Sequence, residues 1–436
     1  MTSDVKVRTV HGWKRNNYAA TLAVALVSMT FSFTIPFLPL YIEQLSGMSG
    51  PEAAMWAGIA TGLGGLFLFI SGPIWGALGD RYGRKAMLVR ACFGGALGLL
   101  LIGLATEVWQ IVVVRAFIGF MAGAGPAGMA LVSASTPPHE MSRYLGRFQG
   151  GVMAGVGAGP VIASVLIAIW SYRVTFIIGG LLMFSGTIVA ALMIKEPPRP
   201  PRVAPVAGVQ KANGFKSILA SPIARSALIL VLLLGLAAPM IQPVLPSFVI
   251  SILPADANTT AIIGWLFFAI SVSSAIGAVY AGRILSRMAH TKVLIISAVA
   301  IAVFLIPMIF ITNIWVFTAL LIGMSLFSGM LATGSASLLP TLVSAAALSA
   351  IFGMYQSVQA LSGQIAPAFG GIIAAQLGYP WVFALAAATL LLLGIPMYYV
   401  FLRVVRTHGN DPDIIEGPEQ HSLPDGGAAS GIALTE

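Results

Sequence analysis

Apolar runs of about twenty residues recur along almost the whole chain, separated by short polar segments. A run of this length is sufficient for a helix to cross a lipid bilayer. The pattern predicts an all-α membrane protein with twelve spans in two sets of six. The first set is 18–42, 55–75, 86–105, 109–133, 146–169 and 173–194; the second is 224–248, 260–281, 292–311, 314–338, 350–377 and 380–403.

The segments outside the spans are polar and rich in proline or charge. Residues 195–223 combine prolines with basic residues, which predicts a solvated cytoplasmic linker. Residues 1–17 predict a cytoplasmic N-terminal segment, and the acidic residues 404–436 predict a disordered cytoplasmic tail. The chain is therefore predicted to contain an N-terminal six-helix bundle, 18–194, and a C-terminal one, 224–403.

Composition and charge agree with a membrane protein. Hydrophobic residues make up 58% of the chain and charged residues 8%, whereas soluble domains carry about 25% charged residues. When the N-terminus is placed in the cytoplasm, all of the 23 Lys and Arg residues except Arg115 and Arg173 fall on the cytoplasmic side. Because positive residues are retained there during insertion, both termini are predicted to be cytoplasmic. The same bias explains the net charge of +9 and argues against nucleic-acid binding. The lone Cys92 cannot form an internal disulfide.

Landmarks of the first set recur in the second. The offset is 206 or 207 residues each time, which predicts a duplicated six-helix unit with a substrate cavity between the halves. The matched pairs are Pro36–Pro39 with Pro243–Pro246, Gly76–Arg81 with Gly282–Arg287, Gly159–Pro160 with Ala366–Pro367, and Tyr172 and Phe176 with Tyr379 and Phe383.

The loop after the second span combines glycines with a cluster of charges. Glycine permits a tight turn and close helix approach, and the basic residues anchor the loop at the cytoplasmic face. The residues are Gly76, Asp80, Arg81, Gly83, Arg84 and Lys85. In this topological place the pattern resembles the signature loop of the major facilitator superfamily. The resemblance implies a conformational latch in which Asp80 takes part when the cytoplasmic side closes; a topology anchor alone is the alternative. The second copy carries Ser286 at the position of Asp80, which implies a weakened second latch.

The fifth span carries glycines four residues apart, at Gly151, Gly155 and Gly159, followed by Pro160. Glycines at this spacing form one helix face that another helix can approach closely. The run is similar to the superfamily's antiporter motif, which implies packing against span eight, with Ser273 and Gly277 as partners. Ordinary small-residue packing is the alternative.

The first span contains Pro36-x-x-Pro39 and then Glu43. With the twelve spans, this looks like the drug:proton antiporter branch of the superfamily, the bacterial multidrug efflux type, over residues 12 to about 403. The resemblance implies a transporter of the bacterial inner membrane that works as a monomer.

Arg115 lies inside span four, where an unpaired guanidinium is costly and needs a partner or a water-filled cavity. The family often has an Arg here, linked to proton coupling. We therefore expect Arg115 and Glu43 to interact and to couple transport to protons. The alternatives are a solvated Glu43 and an Arg115 that bridges to backbone carbonyls.

No Asp or Glu falls at mid-depth in any predicted span, so a cationic substrate would have to rely on aromatic faces. Polar and aromatic residues of spans one, seven and eleven are candidates for lining the cavity, and each is equally consistent with packing. They are Phe33, Phe37 and Tyr41, together with Gln242, Tyr355, Gln356 and Gln359; Phe31 is a further aromatic candidate.

The function that the sequence predicts is secondary active transport: proton-coupled export of small lipophilic or amphiphilic compounds by alternating access. An exporter of one metabolite, such as a sugar, an organic acid or a siderophore, is the alternative, and a degenerate transporter that acts as a sensor is another. No phosphate-binding loop for ATP hydrolysis and no cluster of catalytic or metal-binding residues is present in the sequence. We therefore expect no enzyme activity, cofactor or metal; the predicted partners are substrate, protons and membrane lipid.

Overall fold

The computed structural model of the protein describes residues 12–137, 140–196, 220–253, 258–285, 287–342 and 348–408. Most of the terminal segment 1–17, of the linker 195–223 and of the tail 404–436 lies outside these residues. The described residues are nearly all helical, and twelve of the helices or helix series are long and apolar enough to cross a membrane, which confirms the predicted number of spans.

Spans one to six form the N-terminal half. Their helices are Trp13–Ser46, Gly50–Tyr82, Arg84–Leu104, Val108–Met121 with Ala124–Ser135, Met141–Ile169 and Tyr172–Met193.

Spans seven to twelve form the C-terminal half. Span seven comprises Pro222–Gly235, Ala237–Ile241 and Leu245–Ile252; spans eight to eleven are Thr259–Ile284, His290–Met308, Ile314–Leu338 and Leu348–Leu377. Span twelve comprises Tyr379–Ala388, a π-helical turn at Thr389–Gly394, and Ile395–His408.

Glycine permits a close helix crossing within each half. In the N-terminal half, a Cβ on Gly119 of span four would collide with the Gly64 carbonyl of span two. In the C-terminal half, a Cβ on Gly329 of span ten would collide with the Ser274 carbonyl of span eight. Because lipid supplies no hydrophobic force between helices, such close backbone approach is what holds them together.

Span four is broken, where the sequence predicted a continuous helix over 109–133. The helix ends at Met121, and Gly123 has a φ of +121°, a conformation that favours glycine. The freed carbonyl of Phe120 accepts from Trp75 Nε1 at 2.6 Å. Arg90 donates to the carbonyls of Met121 and Ala122 at 3.0 Å each, and its guanidinium lies 3.7 Å from the centre of the Trp75 ring. Since lipid cannot hydrate these groups, side chains of neighbouring spans satisfy the break.

Span seven is also broken, where a continuous helix over 224–248 was expected. Its three short helices surround Pro239, Pro243 and Pro246, each of which lacks the backbone N–H that an uninterrupted helix would use. In span one, Pro36 and Pro39 lie inside a continuous helix instead.

The two halves touch on the outer side and separate on the predicted cytoplasmic side. Gly58, Gly62 and Gly65 of span two face span eleven, and a Cβ on any of them would meet Pro367, Ala368 or Gln364. The same helix face continues at Gly72 and Gly76, where an added Cβ would meet nothing within 4 Å.

Spans five and eight show the same divergence. A Cβ on Gly264 of span eight would meet Ser164 and Pro160 of span five near the outer side. Toward the cytoplasmic side, Gly150 and Gly146 continue that face of span five and have open space within 4 Å. Two independent helix pairs therefore describe an arrangement that is open toward the predicted cytoplasmic side.

Substitution of Gly119 with Ala should destabilise the N-terminal half, because the new Cβ falls on the Gly64 carbonyl and forces spans two and four apart. We expect a loss of about 1–3 kcal/mol, measured as a lower midpoint of thermal unfolding for the purified protein in detergent. Gly72→Ala is the matched control, since its Cβ enters open space. Equal midpoints for the two variants would contradict the packing argument.

Replacement of Arg90 by Leu should leave two carbonyls at the break of span four without a hydrogen-bond donor. We expect the free energy of unfolding to fall by about 1–3 kcal/mol for each unsatisfied carbonyl. Trp75→Phe keeps a ring under the guanidinium and removes only the donor to Phe120, so it should cost less. Thermal unfolding in detergent checks this order. An unfolding midpoint for Arg90→Leu at or above that of Trp75→Phe would contradict the stabilising role of Arg90 at the break.

Candidate functional site

A cavity lies between the halves, beside the contact of spans two and eleven, and its space of about 480 Å³ includes open solvent. Most of its wall is apolar, and its polar side chains come from both halves. The lining residues are Phe31, Thr34, Ile35, Leu38, Pro39, Ala57, Thr61 and Arg115 of the N-terminal half and Gln242, Pro243, Gly363, Gln364 and Pro367 of the C-terminal half.

Arg115 is the ionisable side chain of this lining. It is 4% exposed, and one terminal nitrogen donates to Thr61 Oγ1 at 3.3 Å. Its guanidinium carbon lies 5.4 Å from the centre of the Phe31 ring. Within the described residues its Nε has no hydrogen-bond partner, and it makes no ion pair. An Arg at membrane depth costs at least about 2.5 kcal/mol, and these contacts offset that cost only in part.

The structure does not bring Glu43 and Arg115 together as the sequence predicted. Glu43 is half-buried at the outer end of span one, close enough to Tyr172 and Tyr379 for electrostatic interaction with both. It lies four residues beyond Pro39, the outermost span-one residue of the cavity wall, and twelve residues beyond Phe31, whose ring the guanidinium faces. Twelve residues correspond to about 18 Å along the axis. The two tyrosines are repeat counterparts, so Glu43 sits in the contact that closes the outer side.

The predicted aromatic lining of span one lies on the wrong face of the helix. Phe33 is 1% exposed and packs at Gly179 of span six. Phe37 packs against Tyr172, with ring centres 6.4 Å apart, and the Tyr41 hydroxyl donates to the Ile102 carbonyl at 3.2 Å. The cavity instead meets Phe31, which belongs with Thr34, Ile35 and Leu38 on one helical stripe.

Among the predicted polar residues of spans seven and eleven, Gln242 lines the cavity and the other three do not. The Tyr355 hydroxyl donates to the Ala332 carbonyl at 3.3 Å and accepts from Gln359 Nε2 at 3.2 Å, which ties span eleven to span ten. Gln356 is exposed. The sequence analysis missed Gln364, although its place one turn before Pro367 marks it as a polar residue beside a helix irregularity.

The glycines of the predicted antiporter motif pack against span one, not span eight. A Cβ on Gly155 would collide with the Ala25 carbonyl, and one on Gly159 with Ser32 and the Met29 carbonyl; Gly151 meets Thr21 in the same way. Pro160 lies inside the continuous helix of span five, and its carbonyl approaches Gly264 of span eight.

The partners proposed for that motif in span eight serve a different interface. Ser273 donates to the Ile322 carbonyl of span ten at 2.7 Å, and a Cβ on Gly277 would collide with the Leu326 carbonyl. These two residues therefore hold spans eight and ten together within the C-terminal half.

The latch loop, Gly76 to Lys85, turns at Gly83, whose φ is +102°. A carboxylate that the sequence analysis missed, Glu196 at the end of span six, accepts from the backbone N–H groups of Arg84 and Lys85 at 2.8 Å each. A carboxylate at a helix N-terminus is favourable because the helix dipole is positive there.

Other side chains of the latch loop are held locally. Arg84 donates to the Ala130 carbonyl at 2.9 Å, and the Arg81 guanidinium lies 5.4 Å from the centre of the Tyr82 ring. The Asp80 side chain lies outside the described part of the chain. The role of Asp80 in a latch therefore stays a prediction.

Comparison with known proteins places this architecture in a family. The model of the family described as "Major Facilitator Superfamily" matches residues 20–256 and 240–424. The chain is 30% identical to "Multidrug resistance protein MdtG" of Enterobacter lignolyticus over 387 residues, which cover 87% of this chain and 90% of that protein. It is 29% identical to the protein of the same name in Salmonella typhimurium over 394 residues, or 89% and 95% of the two chains.

Solved structures share the fold. A bacterial homolog of the human lysosomal transporter Spinster matches with a TM-score of 0.76 and 14% identity, over 91% of this chain and 98% of that one. The nucleoside transporter NupG matches with a TM-score of 0.71 and 14% identity, over 89% and 99%. The twelve spans, the repeated halves with a cavity between them and these matches together show that the chain belongs to the major facilitator superfamily.

Proposed function

We propose that the protein is a secondary transporter of the bacterial inner membrane that exports small lipophilic or amphiphilic compounds in exchange for protons. The observation that carries the proposal is the cavity between the halves, beside which spans two and eleven touch toward the predicted outer side and separate toward the predicted cytoplasmic side. A binding site that opens toward the side of substrate uptake is what an exporter presents before it changes state.

Alternating access requires contacts that separate on one side as others form on the opposite side. The face of span two that touches span eleven near the outer side continues as Gly72 and Gly76 toward the cytoplasm. Small residues there allow the halves to approach when the outer side opens. The latch loop follows directly on this face and would hold the closed cytoplasmic side.

Glu43 is the proposed proton carrier. Arg115 is the proposed cavity residue whose surroundings change when Glu43 binds or releases a proton. Glu43 lies in the outer contact, beside Tyr172 and Tyr379. Opening that contact would hydrate a carboxylate that is half-buried when the contact is closed. A change of hydration between states is the physical requirement for linking proton binding to conformation.

Export of one defined metabolite is the second candidate function. The polar groups Arg115, Gln242 and Gln364 converge on the cavity from both halves, as they would to orient a single polar substrate. The apolar remainder of the wall and the names of the relatives favour the broader specificity. We also propose that the protein works as a monomer, has no enzyme activity and has both termini in the cytoplasm.

Cells that express the protein should export a membrane-permeant fluorescent dye faster than cells without it, and a protonophore should abolish the difference. The proton gradient is the proposed energy source, so its collapse removes the driving force. Dye fluorescence in loaded cells measures the rate. Export that continues unchanged with the protonophore would contradict proton coupling.

Substitution of Glu43 with Gln should abolish export that an imposed pH gradient drives in proteoliposomes, because the amide cannot bind and release a proton. Glu52→Gln is the matched control, since Glu52 lies at the start of span two and accepts only from Ser49. Full gradient-driven export by Glu43→Gln would show that another group carries the proton.

A further inference from the structure

The cavity holds a cation without a counter-charge. Its lining within the described residues contains Arg115 and no carboxylate. Arg115 is 4% exposed, its Nε is unpartnered in the described part of the chain, and its contact with Thr61 is a long 3.3 Å. Buried charges in proteins are normally paired, so a charge left unpaired at a cavity wall points to a partner that comes with the ligand.

The fold itself does not require a cation at this position. When the Gly119–Gly64 crossing is matched with the Gly329–Ser274 crossing, Arg115 corresponds to Ser325 of span ten, which is neutral and buried. The crossing of spans eight and ten is as close as that of spans two and four, and it is built without a charge there. Arg115 therefore brings a positive charge to the cavity wall that its counterpart in the other half does not carry.

Neutral hydrogen-bond donors lie on the opposite wall. Gln242 of span seven and Gln364 of span eleven face the cavity, and neither side-chain amide has a hydrogen bond within the described part of the chain. An oxyanion bound by the guanidinium could accept from these amides as well. Hydrogen bonds in which one partner is ionised are about twice as strong as those between neutral groups.

The rest of the wall suits an apolar body. Phe31, Ile35 and Leu38 form one stripe of span one beside Arg115, and Pro243 and Pro367 face them from the other half. A ligand that matches both parts has a hydrophobic skeleton and one negative head group.

We propose that the cavity selects amphiphilic anions, with a carboxylate or a similar oxyanion bound by Arg115 and the apolar skeleton against the span-one stripe. This inference rests on the proposed export function and specifies its substrate class. An inside-negative membrane potential favours outward movement of an anion, so the selection agrees with the direction of transport.

Three probes with one fluorophore test the charge preference. They are dansylglycine, which is a carboxylate, its neutral amide dansylglycinamide, and the cation dansylcadaverine. Binding to purified protein in detergent and export from proteoliposomes are measured for each. We expect the carboxylate to bind at least about tenfold more tightly than the amide, with the cation weaker still.

Arg115→Gln should remove the carboxylate's advantage and leave binding of the amide within about twofold, because only the charge-assisted contact is lost. Arg115→Lys, which keeps the charge, should retain part of the advantage. Arg143→Gln is the matched control: it removes a cation from the exposed cytoplasmic surface, where Arg143 pairs with Glu140 at 3.6 Å, and should leave the preference intact.

Equal or stronger binding of the cation, or a carboxylate preference that survives in Arg115→Gln, would overturn the inference while leaving export of amphiphiles standing. Arg115-dependent binding of the carboxylate without export of any probe would support the anion site and refute the export function. Failure of all three probes to bind would overturn the anion site. If Arg115→Gln does not fold, the binding of the three probes to the native protein and to Arg115→Lys decides whether the cavity prefers the carboxylate.

Discussion

Close approach of helix backbones at small residues is the constraint on which the rest of this structure depends. Lipid is as apolar as a leucine side chain, so helices within the membrane associate through packing and not through burial from water. Gly119 against Gly64 joins spans two and four, and Gly155 against Ala25 joins spans five and one. These contacts lie within one half. Each half is thereby a packed unit, and the face of span two from Gly58 to Gly76, which no crossing within the half occupies, is left to open and close against span eleven.

The break in span four shows how an irregular backbone is kept in the membrane. Carbonyls are freed at Phe120, Met121 and Ala122, and Trp75 and Arg90 donate to all three, so that none of them is left without a partner in the membrane. The break lies about two turns from Arg115 on the same span. The short outer helix that carries Arg115 is therefore fixed at one end by the hydrogen bonds from Trp75 and Arg90 and along its side by the crossing at Gly64. Together these contacts hold the guanidinium at the cavity wall.

Span number, span order and the repeat could be predicted because they depend on quantities that a sequence displays: run length, charge bias and spacing. The faces of the helices could not. Span one is apolar on nearly all sides, so its periodicity does not separate the stripe of Phe31 and Ile35, which meets the cavity, from that of Phe33 and Phe37, which meets span six. The partner of the span-five glycines was missed for the same reason, since a small-residue face specifies close approach and not which helix approaches. Glu196 was missed because its partners are backbone N–H groups, which leave no mark in a sequence.

In the proposed mechanism, Glu43 and Arg115 have different tasks, because the two charges lie apart. A carboxylate fixed beside Arg115 would neutralise it, and an anionic ligand would then have to displace that carboxylate before it could bind. With Glu43 about 18 Å further out along span one than Phe31, which the guanidinium faces, the guanidinium stays available to the cavity. The carboxylate lies in the contact that is proposed to open outward. Both positions belong to the same helix or to its direct neighbour, so a movement of span one changes the surroundings of both. In this proposal, coupling between cargo and proton requires no ion pair, only a movement of span one, whose middle faces the cavity and whose outer end carries Glu43.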